Sequence, residues 1–158
     1  MIKCELRNVK THVKLSEETE CFSATLYLDG KAACEVGNRG TGGPHEYRWL
    51  VGRECGLQQQ FEAHVTTQPA LELGDGLGSV PCNSDIFVDR LLGEWDIVQQ
   101  LKRWCKKDVV FRLKSDKSGA WRTFRGVKFT PDVKAHILKL HGDALEEIAN
   151  ERFQAVCR

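Results

Sequence analysis

Apolar and polar residues alternate in three stretches near the start of the chain. These stretches are Ile2 to Leu6, Phe22 to Leu28 and Ala32 to Val36. A period of two predicts strands that bury one face. Asp29-Gly30 separates the second stretch from the third, and both residues tolerate the positive φ of a type I′ turn. The pattern therefore predicts an antiparallel hairpin, and a further short strand is expected around 46–51.

A helical period replaces this alternation in the middle of the chain. Leu57, Phe61 and Val65 recur at steps of four and predict a helix over about 54–65. A longer stripe at steps of three and four predicts a second helix, which Asn83 or Ser84 is expected to cap. Its members are Phe87, Leu91, Trp95, Val98, Leu101 and Cys105. Between the two helices, the glycines and prolines of 66–81 predict a loop with little regular structure.

Alternation returns from Val109 to Leu113 and again from Trp121 to Gly126, which predicts a second hairpin that carries many basic residues. Thr130-Pro131 is typical of a helix start, and Gly142 of a helix end. Val133, Ile137 and Leu140 are expected to line one face of that helix. A last helix is predicted from Asp143, with Leu145, Ile148, Ala149, Arg152 and Val156 at helical spacing.

These elements indicate an α+β fold. It comprises an N-terminal antiparallel sheet with an Asp-Gly hairpin, a central amphipathic helix, a basic β-hairpin and a C-terminal helix pair. The length of 158 residues predicts a single domain, 1–158. An alternative division gives subdomains 1–67 and 82–158, joined by the glycine- and proline-rich loop 68–81.

The net charge of +1 hides a strong polarisation along the chain. Residues 54–101 contain eight acidic residues and one basic residue, whereas 102–128 contain ten basic and two acidic residues. The basic stretch could bind nucleic acid, because aromatic residues are interleaved with its cations. The candidate residues are Lys102, Arg103, Lys106, Lys107, Arg112, Lys114, Arg122 and Arg125. Two alternatives are that the aromatics pack in the core and that the cations face the chain's own acidic segment.

Cysteines and histidines give little indication of chemistry. The seven cysteines include no Cys-x-x-Cys pair, which favours free thiols in a reducing cytoplasm. The five histidines are scattered, so we expect no metal and no cofactor. No apolar run reaches the roughly 18 residues that span a membrane. Met1 leads directly into a strand pattern, and we therefore expect no targeting segment.

The glycine-rich stretch 37–45 follows the first hairpin. Its backbone N–H groups could cradle an anion, with Arg39 and His45 adding charge and a hydrogen bond. It matches neither the phosphate-loop pattern, which needs Gly-Lys-Ser/Thr, nor the dinucleotide-binding pattern. A flexible connection between strands is the favoured interpretation of this loop.

Two segments of the chain resemble a pattern in small uncharacterised proteins of tailed bacteriophages and prophages. They are the loop from Asn38 to Gly43 and residues 16–31, which read Ser-Glu-Glu-Thr-Glu-Cys-Phe-Ser-Ala-Thr-Leu-Tyr-Leu-Asp-Gly-Lys. In those proteins the loop reads Asn-Asp-Gly-x-Gly-Gly, whereas Arg39 occupies the acidic position here. The resemblance covers roughly the first third of the chain strongly. It implies an accessory protein of a mobile element and carries no catalytic residues.

Three functions are consistent with these features. The first is a non-enzymatic phage protein that inhibits a host protein or a defence ribonucleoprotein such as a CRISPR effector, in the host cytoplasm. Its expected contact residues are Asn38, Arg39, Gly40, Gly42, Gly43, His45, Trp121, Arg122 and Arg125. The first alternative is a nucleic-acid-binding accessory protein. The second is a small enzyme with a Cys or His site beside the glycine loop, for which no catalytic residue is assigned.

Overall fold

The computed structural model describes residues 2–50 and 54–154. They form two compact units, one that ends at Trp95 and one that begins at Asp96. Each unit combines an antiparallel sheet with helices, and the predicted α+β class is confirmed.

The first unit is built on a four-stranded antiparallel sheet with strands in chain order. Its strands are β1 (Cys4–Thr11), β2 (Phe22–Leu28), β3 (Lys31–Asn38) and β4 (Glu46–Trp49). The predicted Asp-Gly hairpin is confirmed, because Leu28 pairs with Lys31 and both turn residues have positive φ. The strand expected around 46–51 ends at Trp49, and Val51 lies outside the described residues.

Two helices cover the inner face of this sheet. They are α1 (Glu54–Thr66) and the first half of α2 (Ser84–Cys105). Phe61 and Val65 from α1 meet Phe87, Val88 and Leu92 from α2 in one core with the sheet. Asn83 caps α2 as predicted, since its Oδ1 accepts a hydrogen bond from the Ile86 N–H at 2.9 Å.

The stretch 66–81 is more ordered than its glycine and proline content predicts. Two short strands, β5 (Leu71–Glu72) and β6 (Ser79–Val80), pair antiparallel around a turn. The prediction of little regular structure thus holds for most of the stretch, and the two short strands are its exception. Two-residue strands are too short to leave a period in the sequence, and the glycines supply the positive φ of the turn.

The second unit has a three-stranded sheet in the order β8-β7-β9. Its strands are β7 (Val109–Leu113), β8 (Arg122–Phe124) and β9 (Leu145–Ile148), and its further helices are α3 (Pro131–His141) and α4 (Ala149–Gln154). Thr130 caps α3 and Gly142 ends it, as predicted. One face of β7 packs with Ile137 and Ile148, and the other packs with Leu101 and Ala149.

The second helix of the predicted C-terminal pair forms, but it begins at Ala149, and the prediction of a helix from Asp143 is wrong. Residues 145–148 form β9, and the helix that follows spans only six residues. The spacing of Leu145 and Ile148 suits a helix, but pairing with the buried strand β7 overrides that local preference. Arg112 lies directly opposite Glu147 in the ladder and forms ion pairs with Glu146 and Glu147. Val156 lies outside the described residues.

The buried face of α3 also differs from the prediction. Ile137 is fully buried, but 59% of Leu140 is exposed to solvent. The helix presents Val133, Ile137 and His141 to the sheet, and the His141 ring lies 5.2 Å from the Phe111 ring. Steps of four along the helix select His141 instead of Leu140, so the expectation for Leu140 is wrong.

Candidate functional site

Asn38 holds the glycine loop closed from the inside. Its Oδ1 accepts hydrogen bonds from the Gly40 N–H at 2.8 Å and the Thr19 hydroxyl at 2.7 Å. Its Nδ2 donates to the Gly43 carbonyl at 3.2 Å. Asn38 is only 5% exposed, so it is a structural centre of the loop and its side chain is not offered to a partner.

Gly40 is fixed by the segment that precedes β2. Its carbonyl accepts hydrogen bonds from the N–H groups of Glu17, Glu18 and Thr19, at 2.8, 3.0 and 3.3 Å. Its φ is +87°, and a Cβ at this position would lie 2.1 Å from the Leu15 carbonyl oxygen. Glycine is therefore required here for both conformation and space.

The N–H groups of the loop are used within the protein. Gly40 donates to Asn38, and Gly42 donates to the Thr19 hydroxyl at 3.3 Å. An anion nest needs successive N–H groups that point at the ligand. These two N–H groups are already satisfied and do not form such a nest.

His45 ends the loop as a buried link between three elements. Its side chain is 7% exposed, and its ring lies edge-on to Phe22 at 5.1 Å. Nδ1 accepts a hydrogen bond from Asn38 Nδ2 at 3.1 Å, and Nε2 donates to Asp89 Oδ1 at 3.0 Å. Because Asn38 Oδ1 already accepts two hydrogen bonds, its NH₂ group faces His45 and places the imidazole proton on Nε2.

Asp85, one turn before Asp89 in α2, completes this network. Its carboxylate accepts from the Tyr47 hydroxyl at 2.9 Å and from the His45 N–H at 3.3 Å. Burial raises the pKa of Tyr47, and its hydrogen bond to Asp85 raises that pKa further. Sequence reasoning missed the roles of Thr19, Tyr47, Asp85 and Asp89. The spacing of Asp85 and Asp89 by four residues was the available signal, since it places both carboxylates on one helix face.

Burial makes two thiols of the first unit poor acids. Burial raises the pKa of Cys4 and that of Cys34 to about 11. Cys21 is also buried. Only the thiolate is a strong nucleophile, so these environments suit packing more than catalysis.

An open groove of about 630 Å³ lies along the outer face of the four-stranded sheet. Ser23, Thr25 and Gly37 contribute small residues to it, and a Cβ on Gly37 would lie 2.6 Å from the Phe22 carbonyl oxygen. The longer polar side chains around it are Asn8, Lys10, Glu35, Arg39, Glu46 and Arg48. The groove therefore has a lining of small residues and a rim of both charge signs.

Ion pairs organise the rim of the groove. Arg48 lies opposite Glu35 in the ladder, and its Nε donates to Glu35 Oε2 at 2.9 Å. Arg39 Nε lies 2.9 Å from Glu46 Oε1. The side chains of Arg39 and Arg48 remain about four-fifths exposed, at 80% and 78%. Sequence reasoning selected Arg39 but missed Arg48, although its position between the inward-facing Tyr47 and Trp49 was a signal.

The remaining predicted contact residues lie in the second unit. Arg122 binds Asp116 with two nitrogens, from Nη2 to Oδ1 at 2.7 Å and from Nε to Oδ2 at 2.9 Å. The hydrogen bonds from Arg122 hold the pKa of Asp116 at about 2. The Arg112 guanidinium lies 5.0 Å from the centre of the Trp121 ring, which also packs against the core. Arg125 is exposed.

Comparisons with known proteins assign no function to this site. The chain matches no family model, no curated protein and no solved structure. Among the described residues, no three His, Cys, Asp or Glu side chains converge as a metal site would require. Within the same ranges, no helix has both the length and the apolar content to span a bilayer.

Proposed function

We propose that this chain is a phage-encoded, non-enzymatic protein that binds a host protein or defence complex in the host cytoplasm. Its contact surface is the groove on the outer face of the N-terminal sheet, together with Arg39 on the adjoining glycine loop. The resemblance of residues 16–31 to phage proteins supports a phage origin, and the groove supports a role in binding a host protein.

The observation that carries this proposal is the mixed, exposed rim of the groove. Arg39 and Arg48 are each held by a glutamate and yet expose most of their side chains. Side chains that are already ordered lose less conformational entropy when a partner binds. A rim that contains both charge signs favours a protein partner over a polyanion, because a polyanion would be repelled by Glu35 and Glu46.

The hydrogen bonding of His45 supports a binding role over an enzymatic one. A general base needs a free ring nitrogen within reach of a substrate proton. Both ring nitrogens of His45 bind protein groups, and most of its side chain is buried. Cys21 lies beside this loop next to Gly40, and it is buried, which suits packing more than attack on a substrate.

Site-specific crosslinking in infected host cells tests the proposal. A photoreactive amino acid at Arg48 is expected to capture one host protein, and the same residue at the exposed Lys139 serves as the control. Arg39→Glu with Arg48→Glu should abolish both the capture and the benefit to phage growth. Equal capture from both positions, or full phage growth with the double substitution, would overturn the proposal.

A further inference from the structure

A hydrogen bond from a backbone N–H to a side-chain carboxylate joins two basic segments of the second unit that are distant in sequence. Asp108 follows the end of α2, and its Oδ1 accepts from the Gly126 N–H at 2.9 Å. Val109 pairs with Phe124 in the adjoining ladder. The last turn of α2 and the segment after β8 therefore meet at one end of this sheet.

Five exposed cations lie in these two segments: Arg103, Lys106, Lys107, Arg125 and Lys128. Within the described part of the chain, none of them forms an ion pair. Asp108 accepts the hydrogen bond from Gly126, and Asp132 lines a pocket with Phe124 and Val127, which flank Arg125 and Gly126 in the chain. This set is called the basic end below.

Three other members of the predicted nucleic-acid surface have partners elsewhere in the unit. Arg112 forms ion pairs with Glu146 and Glu147, and Arg122 forms one with Asp116. Lys102 lies 6.0 Å from the centre of the Phe153 ring. Five cations without an ion pair thus lie at the basic end, whereas Lys114 and Lys117 are exposed near the turn of the hairpin and lie outside this set.

One aromatic side chain is available beside these cations. Trp104 is 36% exposed, and its carbonyl accepts a hydrogen bond from the Lys107 N–H at 2.9 Å in the turn that follows α2. Phe111 and Phe124 are packed in the core, and Trp121 is covered by Arg112. Trp104 can therefore offer a ring face that the hairpin aromatics cannot.

We propose that the basic end binds single-stranded nucleic acid, with the five cations on phosphates and Trp104 stacked on an unpaired base. Single-strand-binding proteins combine cations that lie along the nucleic-acid backbone with exposed aromatic side chains on which bases stack. Duplex bases are stacked on each other and leave no face for Trp104. This inference does not depend on the host-protein proposal, because it uses different residues in a different unit.

Fluorescence anisotropy of the full chain with labelled 20-nucleotide oligo(dT), oligo(U) and a matched duplex tests the inference at several salt concentrations. The triple variant Lys106→Ala, Lys107→Ala and Arg125→Ala should weaken single-strand binding and lower the salt slope by about 2, since each lost phosphate contact removes about 0.7. The matched control is Lys114→Ala, Lys117→Ala and Lys139→Ala, which removes equal charge from exposed positions outside the basic end and should change neither quantity.

Trp104 provides a readout that charge alone would not give. Trp104→Ala should weaken binding about tenfold with an unchanged salt slope, and Trp104→Phe should restore most of the affinity. Lack of binding at 50 mM salt, equal losses in the two triple variants, or equal affinity for the duplex would overturn the inference. Stronger binding to phosphatidylglycerol vesicles than to oligonucleotides would overturn it as well.

Discussion

The side-chain amide of Asn38 donates to Nδ1 of His45 over 3.1 Å and thereby fixes which ring nitrogen carries the proton. The same Asn38 side chain also donates to the Gly43 carbonyl in the glycine loop, and His45 in turn is hydrogen-bonded to Asp89 on α2. One buried amide thus couples a loop, a strand and a helix of the first unit.

Replacing Asn38 should destabilise the fold by leaving several buried groups unpaired. Asn38→Ala removes partners from the Thr19 hydroxyl, the Gly40 N–H and His45 Nδ1, and we expect a loss of about 2–4 kcal/mol. Urea denaturation followed by circular dichroism measures the change. Ser23→Ala on the exposed outer face of β2 is the control, and a loss as small as in this control would contradict the assigned network.

Two glycines of the loop allow the cost of a left-handed backbone to be measured separately from the cost of a steric clash. Gly40 and Gly43 have nearly equal φ values of +87° and +89°, but only Gly40 has neighbours within 4 Å of an added Cβ. Gly43→Ala should therefore cost about 1–2 kcal/mol for the left-handed backbone alone. Gly40→Ala should cost at least about 3 kcal/mol, because the Leu15 carbonyl would have to move. Similar thermal midpoints for the two variants would refute the close approach at Gly40.

The ion pair between Asp116 and Arg122 should make stability depend on pH in the acid range. The pKa of Asp116 falls from 3.8 to about 2 on folding, so the stabilisation is complete above pH 3.8 and is lost as pH falls through about 2. Asp116→Asn should therefore lower the urea midpoint at pH 6, and the difference from the unaltered protein should shrink strongly as pH falls from 4 through about 2. The exposed Asp143→Asn serves as the control, and a difference as large at pH 2 as at pH 6 would exclude the carboxylate as its cause.

The buried face of α3 can be tested with a pair of large-to-small substitutions. Ile137→Ala should destabilise the second unit by about 2–5 kcal/mol, because the side chain is fully buried. Leu140→Ala should change stability by no more than about 0.5 kcal/mol, since most of that side chain is in solvent. Equal effects in chemical denaturation would show that Leu140 packs as the sequence period predicts.

The sequence predicts those parts of the fold in which one local pattern dominates. The Asp29-Gly30 turn lies between two alternating strands, and Thr130-Pro131 starts an amphipathic helix, so propensity and packing agree at both places. They disagree at 145–148, where helical spacing yields to pairing with β7. That partner strand lies more than 30 residues earlier in the chain, and no local window contains it.

The candidate site was harder to predict, because its residues come from separate elements. Glycine content drew attention to the loop, but it did not reveal that Asn38 and Thr19 satisfy the loop's N–H groups. The groove combines Lys10, Thr25, Glu35 and Arg48 from four strands, and only the register brings them together. The two segments of the basic end are likewise brought together by the pairing of β7 with β8 and by the hydrogen bond between Asp108 and Gly126.

The three hydrogen bonds on the Gly40 carbonyl also affect which loop positions can change. Asn38 and Gly40 are buried and determine the path of the loop backbone. Arg39, between them, and Thr41, after Gly40, are exposed to solvent. New side chains at these two positions would alter the displayed chemistry and leave the backbone path intact. The loop thus resembles a small display scaffold, in which recognition can diversify or be engineered without a change of fold.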